Sequence, residues 1–172
     1  MFTPRSFEER YPPEFWFSCY TFLDTEQNDE IVLEGKKIVY YDVETQKRAD
    51  EVGGWHNADQ MLISVAVSYD EPNGFRVWFE KDIPDMIRYL SGFDVVISYN
   101  GDQFDSKVLS HYGDVSEIRK RSFDLAQYFQ RKLKHRLKLD TLAMATLGTG
   151  KSSDGLQALK WWKEGKIQEI VD

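Results

Sequence analysis

Three runs of strand length follow one another between Lys37 and Glu80: KIVYYDV, MLISVAVSY and FRVWFE, each dense in β-branched and aromatic residues. A chain that spends its most apolar segments this way commits them to a sheet, because such side chains suit a pleated, half-buried surface. Asp70, Pro72, Asn73 and Gly74 separate the second run from the third, and that turn chemistry predicts an antiparallel hairpin. DIPDMIRYL reads as a short helix, capped by Asp82, with Pro84 in its first turn and Gly92 at its end. DVVISY is apolar and flanked by loop residues, the signature of a strand buried on both faces. Past Gly113 the pattern turns helical through DLAQYFQRKL, KLDTLAMATL, GLQALKWWKEG and KIQEIVD, while SFDL around Ser122 offers one more short strand. Three antiparallel strands, then helix, strand and helix, predict an α/β domain built on a mixed sheet.

With 172 residues, 41% of them hydrophobic, the chain can bury one substantial core and is too short for two typical domains. Residues 1–30, broken by Pro12-Pro13 and without a sustained period, are expected to be an N-terminal extension laid on a domain of residues 31–172. No run approaches the roughly 20 apolar residues of a membrane helix, and the opening segment lacks the basic-then-apolar order of a secretory signal. The expectation is a soluble, cytoplasmic protein. Cys19 is the single cysteine and has no ligand partner at metal spacing, so it is expected to be inert. A net charge of −7 excludes a surface basic all over, but it suits carboxylates clustered for divalent cations. Eight basic residues lie from Arg119 to Lys138, with Asp124 the only acid among them. This segment reads equally as a solvated face and as a phosphate-contacting stripe in which Arg131 and Lys132 take part.

In Tyr40-Tyr41-Asp42-Val43-Glu44-Thr45, two carboxylates sit two apart at the end of an apolar strand. Strand side chains alternate faces, so Asp42 and Glu44 project to the same side, roughly 6–7 Å apart. That spacing suits sharing a hard cation, although acids two apart at a strand end are more often merely solvated. Asp105 follows in Asn100-Gly101-Asp102-Gln103-Phe104-Asp105, where a buried strand gives way to a helix. Function gathers at such carboxyl ends in open α/β sheets. Asn100 is placed to cap or brace the turn, Gly101 permits close backbone approach, and Phe104 anchors the helix start. The bland alternative makes Asp102 or Asp105 a helix cap.

The pairing of YYDVET with SYNGDQFD resembles the DEDD exonuclease superfamily, and more closely its branch related to the proofreading exonuclease domain of family B DNA polymerases. The resemblance covers roughly Lys37 to Asp172, including the helical tail from SFDL onward. It implies an RNase H-like fold and a metal-dependent 3′→5′ exonuclease acting on single-stranded 3′ ends of DNA or RNA. Two Mg²⁺ or Mn²⁺ ions are implied as cofactors. By the same resemblance Asp42 matches the acid that bridges both ions, Glu44 the one that orients the attacking water, and Asp105 the ligand of the second ion. The implied chemistry is two-metal hydrolysis, which needs no protein nucleophile.

The family pattern also calls for a Tyr-x-x-x-Asp element after a segment like KIQEIVD, and the sequence to Asp172 does not contain it. Asp124, Asp140 and Asp154 read as helix caps or surface groups rather than replacements. The competing reading is therefore a catalytically weak RNase H-like module that binds nucleic acid or a protein partner. An RNase H-type endonuclease fits the same acids but explains the helical tail less well. Trp55 is placed to stack on a terminal base, although a loop tryptophan more commonly covers the core. His56 lies in the loop after the first acidic motif, His111 and His135 lack neighbours at ligand spacing, and Trp161-Trp162 is expected to pack the last helix on the sheet. GTGK at 148–151 lies between helices and lacks the full phosphate-loop pattern.

Overall fold

The computed structural model describes residues 33–148 and 155–171. The N-terminal extension, Cys19, Lys151 of GTGK and Asp154 lie outside them. Strands β1 (Ile38–Thr45), β2 (Ile63–Asp70) and β3 (Gly74–Phe79) form the antiparallel part of one sheet. Strands β4 (Val95–Ser98) and β5 (Ser122–Asp124) add to it in parallel, giving the order β3-β2-β1-β4-β5. The predicted hairpin is present, with Asp70 paired to Gly74. Asp70 is buried and holds the turn, accepting from the Asn73 backbone N–H and side-chain amide and from the Tyr89 hydroxyl.

Helices cover both faces. α1 (Ile83–Leu90), α2 (Asp105–Leu109) and α3 (Ser116–Lys120) lie between the sheet strands in sequence. α4 (Leu125–Leu133), α5 (Leu139–Leu147), α6 (Gly155–Lys163) and α7 (Ile167–Val171) make up the helical tail. Asp82 does not cap α1 as the sequence suggests. Its residue is already helical in φ/ψ, closing a short 3₁₀ turn, and its carboxylate turns back to the Phe79 N–H at 3.4 Å. The helix expected after Asn100-Gly101-Asp102-Gln103-Phe104 is α-helical over Asp105–Leu109, and it starts at Asp105 because Phe104 sits at φ −126°, ψ −72°, outside the helical region.

Strand alternation decides which residues face which layer. Val39, Tyr41 and Val43 of β1 join Ile83, Met86 and Leu90 of α1, Val108 and Leu109 of α2 and Ile118 of α3 in the largest core. Met86 and Leu90 are fully buried, and truncating either to alanine should cost about 2–5 kcal/mol. On the opposite face, Tyr40 and Ile97 pack against Leu125 and Phe129 of α4 and Leu142 of α5. Further across that face, Val65 and Val67 of β2 meet Ala158 of α6 and Ile170 of α7, with Trp161 and Trp162 packed against them as expected. Asp42 and Glu44 share Tyr40's parity and thus this second face. Their cross-strand neighbours are Val67 and Val65. The two acids therefore stand on β1 between α4–α5 on one side and α6–α7 on the other.

Candidate active site

β1 and β4 pair over only three positions, Ile38 with Val95, Val39 with Val96 and Tyr40 with Ile97. β4 ends at Ser98 while β1 runs on to Thr45, so the sheet opens between them at their carboxyl ends. Asp105 occupies that opening. Its Oδ1 accepts the Val43 N–H at 3.2 Å, and the residue is 3% exposed. Burial, then the charge of Asp42, drives the Asp105 carboxyl well above the ordinary carboxylate range; Glu44 pushes the same way, and the Val43 N–H opposes them. The three acids nominated from sequence are thus electrostatic neighbours, two from one strand and one from the start of α2.

The loop that delivers Asp105 is tightly determined. Asn100 adopts φ +67°, a left-handed conformation that asparagine tolerates better than most residues. Gly101 is required by space: a Cβ there would lie 2.2 Å from Ser98 Oγ, 2.6 Å from Ser98 Cβ and 3.2 Å from the Tyr41 hydroxyl. Tyr41 is buried on the other face of β1, and its hydroxyl is held well above its usual pKa by burial and by the charges of Asp105 and Asp102. Asp124, at the end of β5, fixes the loop from the side. It caps α4 through the Ala126 and Gln127 N–H groups, and it also accepts from Asn100 N at 2.9 Å and Asp102 N at 3.3 Å. Asp102 is held in turn by the Ser122 hydroxyl and the Gln127 amide. Sequence reasoning named Asp124 as a helix cap and missed its second task, for which the signal was its place at another strand-to-helix junction.

Around the acids, Phe104 packs on the main core and meets Trp55 edge-on, with ring centroids 5.7 Å apart. Trp55 remains 70% exposed, so it does not serve as a core cover. His111 meets Tyr112 edge-on, with ring centroids 4.9 Å apart. Arg131 and Lys132 are exposed in the last turn of α4. The basic segment is divided in use. Arg119 holds Ser106, Lys120 pairs with Glu117, and Arg121 ties Glu117 to the carbonyls of Ser91 and Phe93.

A family model described as the RNase_H superfamily matches residues 39–165, most of the sheet and the helical tail. The chain belongs to the RNase H superfamily. Among solved structures, it is similar to the family B DNA polymerase from the hyperthermophilic archaeon Pyrobaculum calidifontis, with TM-score 0.59 and 13% identity. That likeness covers 85% of this chain and 23% of the polymerase, so the chain spans about a quarter of its neighbour's length. No curated protein matches it by sequence. The fold is of nuclease type, consistent with the resemblance carried by YYDVET and SYNGDQFD. Among the described residues, no helix is long and apolar enough to cross a membrane.

The donor chemistry suits a hard divalent cation: the buried Asp105 carboxyl is disfavoured as an anion by burial and then by the charges of Asp42 and Glu44. Among the described residues, no three His, Cys, Asp or Glu side chains are gathered closely enough to hold an ion as they stand. Carboxylates of like charge keep apart until a cation screens them.

Proposed function

We propose that this chain hydrolyses phosphodiester bonds from the 3′ end of single-stranded DNA or RNA, with Mg²⁺ or Mn²⁺ held by Asp42, Glu44 and Asp105. The observation that carries this reading is geometric: the buried Asp105 carboxylate accepts the N–H of Val43, between Asp42 and Glu44 on β1, so that burial and then the two neighbouring charges disfavour its ionised form. A bound cation removes that conflict, and a nuclease-type fold is where such a cation has work to do. When bound, the metal supplies a nucleophilic water at neutral pH and charge stabilisation for the leaving oxygen. The protein's own part is to place and hold. Asp42 and Glu44 present their oxygens from a rigid central strand, and the Val43 N–H orients the Asp105 carboxylate. Asn100 and Phe104 line the loop that leads to the acids, and Trp55 offers an exposed ring beside Phe104 for a terminal base. Arg131 and Lys132 add positive charge at the exposed end of α4.

The second reading, an RNase H-like module that binds nucleic acid with little cleavage, draws on the openness of the acid group. One experiment separates the two. Single-nucleotide release from a labelled oligonucleotide is followed with Mg²⁺ or Mn²⁺ for the wild type and for Asp42→Asn. We expect metal-dependent release that falls by about 10³-fold in the variant, since loss of a ligand's charge costs several kcal/mol of barrier. Undiminished cleavage by Asp42→Asn would place the chemistry elsewhere. Binding without cleavage by the wild type would favour the second reading.

A further inference from the structure

Apart from Lys132, which lies over the Tyr128 ring, the cations of the 119–138 segment fall into two groups. The first three are consumed by internal partners, as described above. Arg131, Lys134, Arg136 and Lys138 are exposed and have no carboxylate partner among the described residues. Of these, Arg136 alone is fixed beside the acidic loop. Its guanidinium donates to Asn100 Oδ1 at 3.1 Å, and the Tyr99 hydroxyl donates to the carbonyl of the next residue, Leu137, at 2.6 Å. Two successive residues at the end of β4 thus grip two successive residues of the α4–α5 connection. Lys134, at φ +62°, ends α4 and turns the chain toward that contact.

The chemistry of the contact matters as much as its place. Asn100 is a neutral amide, so it positions the guanidinium without neutralising it, and its own backbone N–H is locked on Asp124. Arginine has five N–H donors in a rigid fork, and one such bond leaves most of the fork available. A fixed, uncompensated guanidinium bonded to Asn100, which stands five residues before Asp105 on the loop that delivers that acid, is matched to a phosphate. We propose that Arg136 binds a backbone phosphate of the nucleic-acid strand whose 3′ end lies at Asp42, Glu44 and Asp105. This rests on the function proposed above and assigns the phosphate contact to Arg136 ahead of Arg131 and Lys132.

The test is binding of a fluorescent single-stranded oligonucleotide by anisotropy across a salt series, run on the full chain with Ca²⁺ present. Wild type is compared with Arg136→Gln, and with Lys120→Gln as a control whose cation is already paired with Glu117. Loss of one phosphate contact should weaken binding about tenfold at low salt and reduce the slope of log K against log[salt] by about 0.7. Lys120→Gln should change neither. In parallel, Mn²⁺-dependent release of p-nitrophenol from thymidine 5′-(p-nitrophenyl phosphate), a probe with a single phosphodiester, should be the same for Lys120→Gln as for wild type. If wild type binds the oligonucleotide and Arg136→Gln leaves affinity and slope unchanged, the inference is overturned while the proposed function stands. If the wild type neither binds the oligonucleotide nor hydrolyses either substrate, the proposed function fails and takes the inference with it.

Discussion

Gly101 offers the sharpest perturbation of the candidate site, because a single methyl group there is sterically excluded at known contacts. In Gly101→Ala the new Cβ would lie 2.6 Å from Ser98 Cβ, about 0.8 Å short of the 3.4 Å at which ordinary van der Waals contact begins. The Ser98 hydroxyl, 2.2 Å away, can rotate aside, but Ser98 Cβ belongs to the last residue of β4 and moves only with the backbone. The strand end or the loop must therefore shift by most of an ångström. Overpacking of this size costs about 1–3 kcal/mol, which for a chain of this length lowers the melting temperature by about 4–8 °C at the midpoint of that range. The displacement falls four residues before Asp105, so the carboxylate that completes the acid group moves with it. A misplacement near 1 Å in an aligned site costs about 10²-fold in rate. Urea denaturation measures the first effect and nucleotide release from an oligonucleotide the second. Ser98→Gly removes the two closest contacts, after which the Tyr41 hydroxyl follows at 3.2 Å. The double variant should recover most of the lost stability, giving a coupling energy of about 0.5–3 kcal/mol. Gly101→Ala unfolding within about 0.5 kcal/mol of wild type, or no relief from Ser98→Gly, would refute this account of the loop.

Two further outcomes are expected. With divalent metal chelated, a carboxyl held above its ordinary value stabilises the folded state below about pH 4 and loses that contribution as pH rises through the raised value. The melting temperature of Asp105→Asn relative to wild type should therefore climb from pH 4 to pH 8 in chelator, and a flat or falling difference would show that Asp105 is not under the charge pressure assigned to it. Trp55→Ala should leave stability within about 0.5 kcal/mol, given its 70% exposure, yet weaken single-stranded oligonucleotide binding by about 1–3 kcal/mol. Equal affinity of variant and wild type by anisotropy would leave Trp55 without a stacking role.

The strands were legible because alternation and turn chemistry are local. KIVYYDV, MLISVAVSY and FRVWFE each carry their own signal, and Asn73-Gly74 closes the hairpin between residues only a few apart. The shared face of Asp42 and Glu44 follows from the same period of two, and even the three-residue β5 was visible in SFDL. What escaped was set by distant partners. Asp82 has the composition of a cap, but a 3₁₀ turn placed its backbone inside a helix already under way. Asp124 looks from sequence like a cap and no more; its hold on Asn100 and Asp102 spans more than twenty residues. The bond from Arg136 to Asn100 spans thirty-six, and nothing in the local pattern distinguishes Arg136 from Arg131.

The opening between β1 and β4 has a consequence for how the acids keep their spacing. At Val43 the missing rung of the ladder is supplied by a side chain, since Asp105 Oδ1 accepts the N–H that a longer β4 would have taken. Asp105 is thus a splice: it mends the sheet and belongs to the acid group at once. Asp42 and Glu44 flank the mended position on either side, so the length of the splice, one carboxylate, sets how far apart the two halves of the group stand. A glutamate at 105 would keep the charge but lengthen the splice by one methylene, and a serine would shorten it. The requirement for aspartate at this position is therefore as much a property of the sheet's width at the gap as of the chemistry performed there.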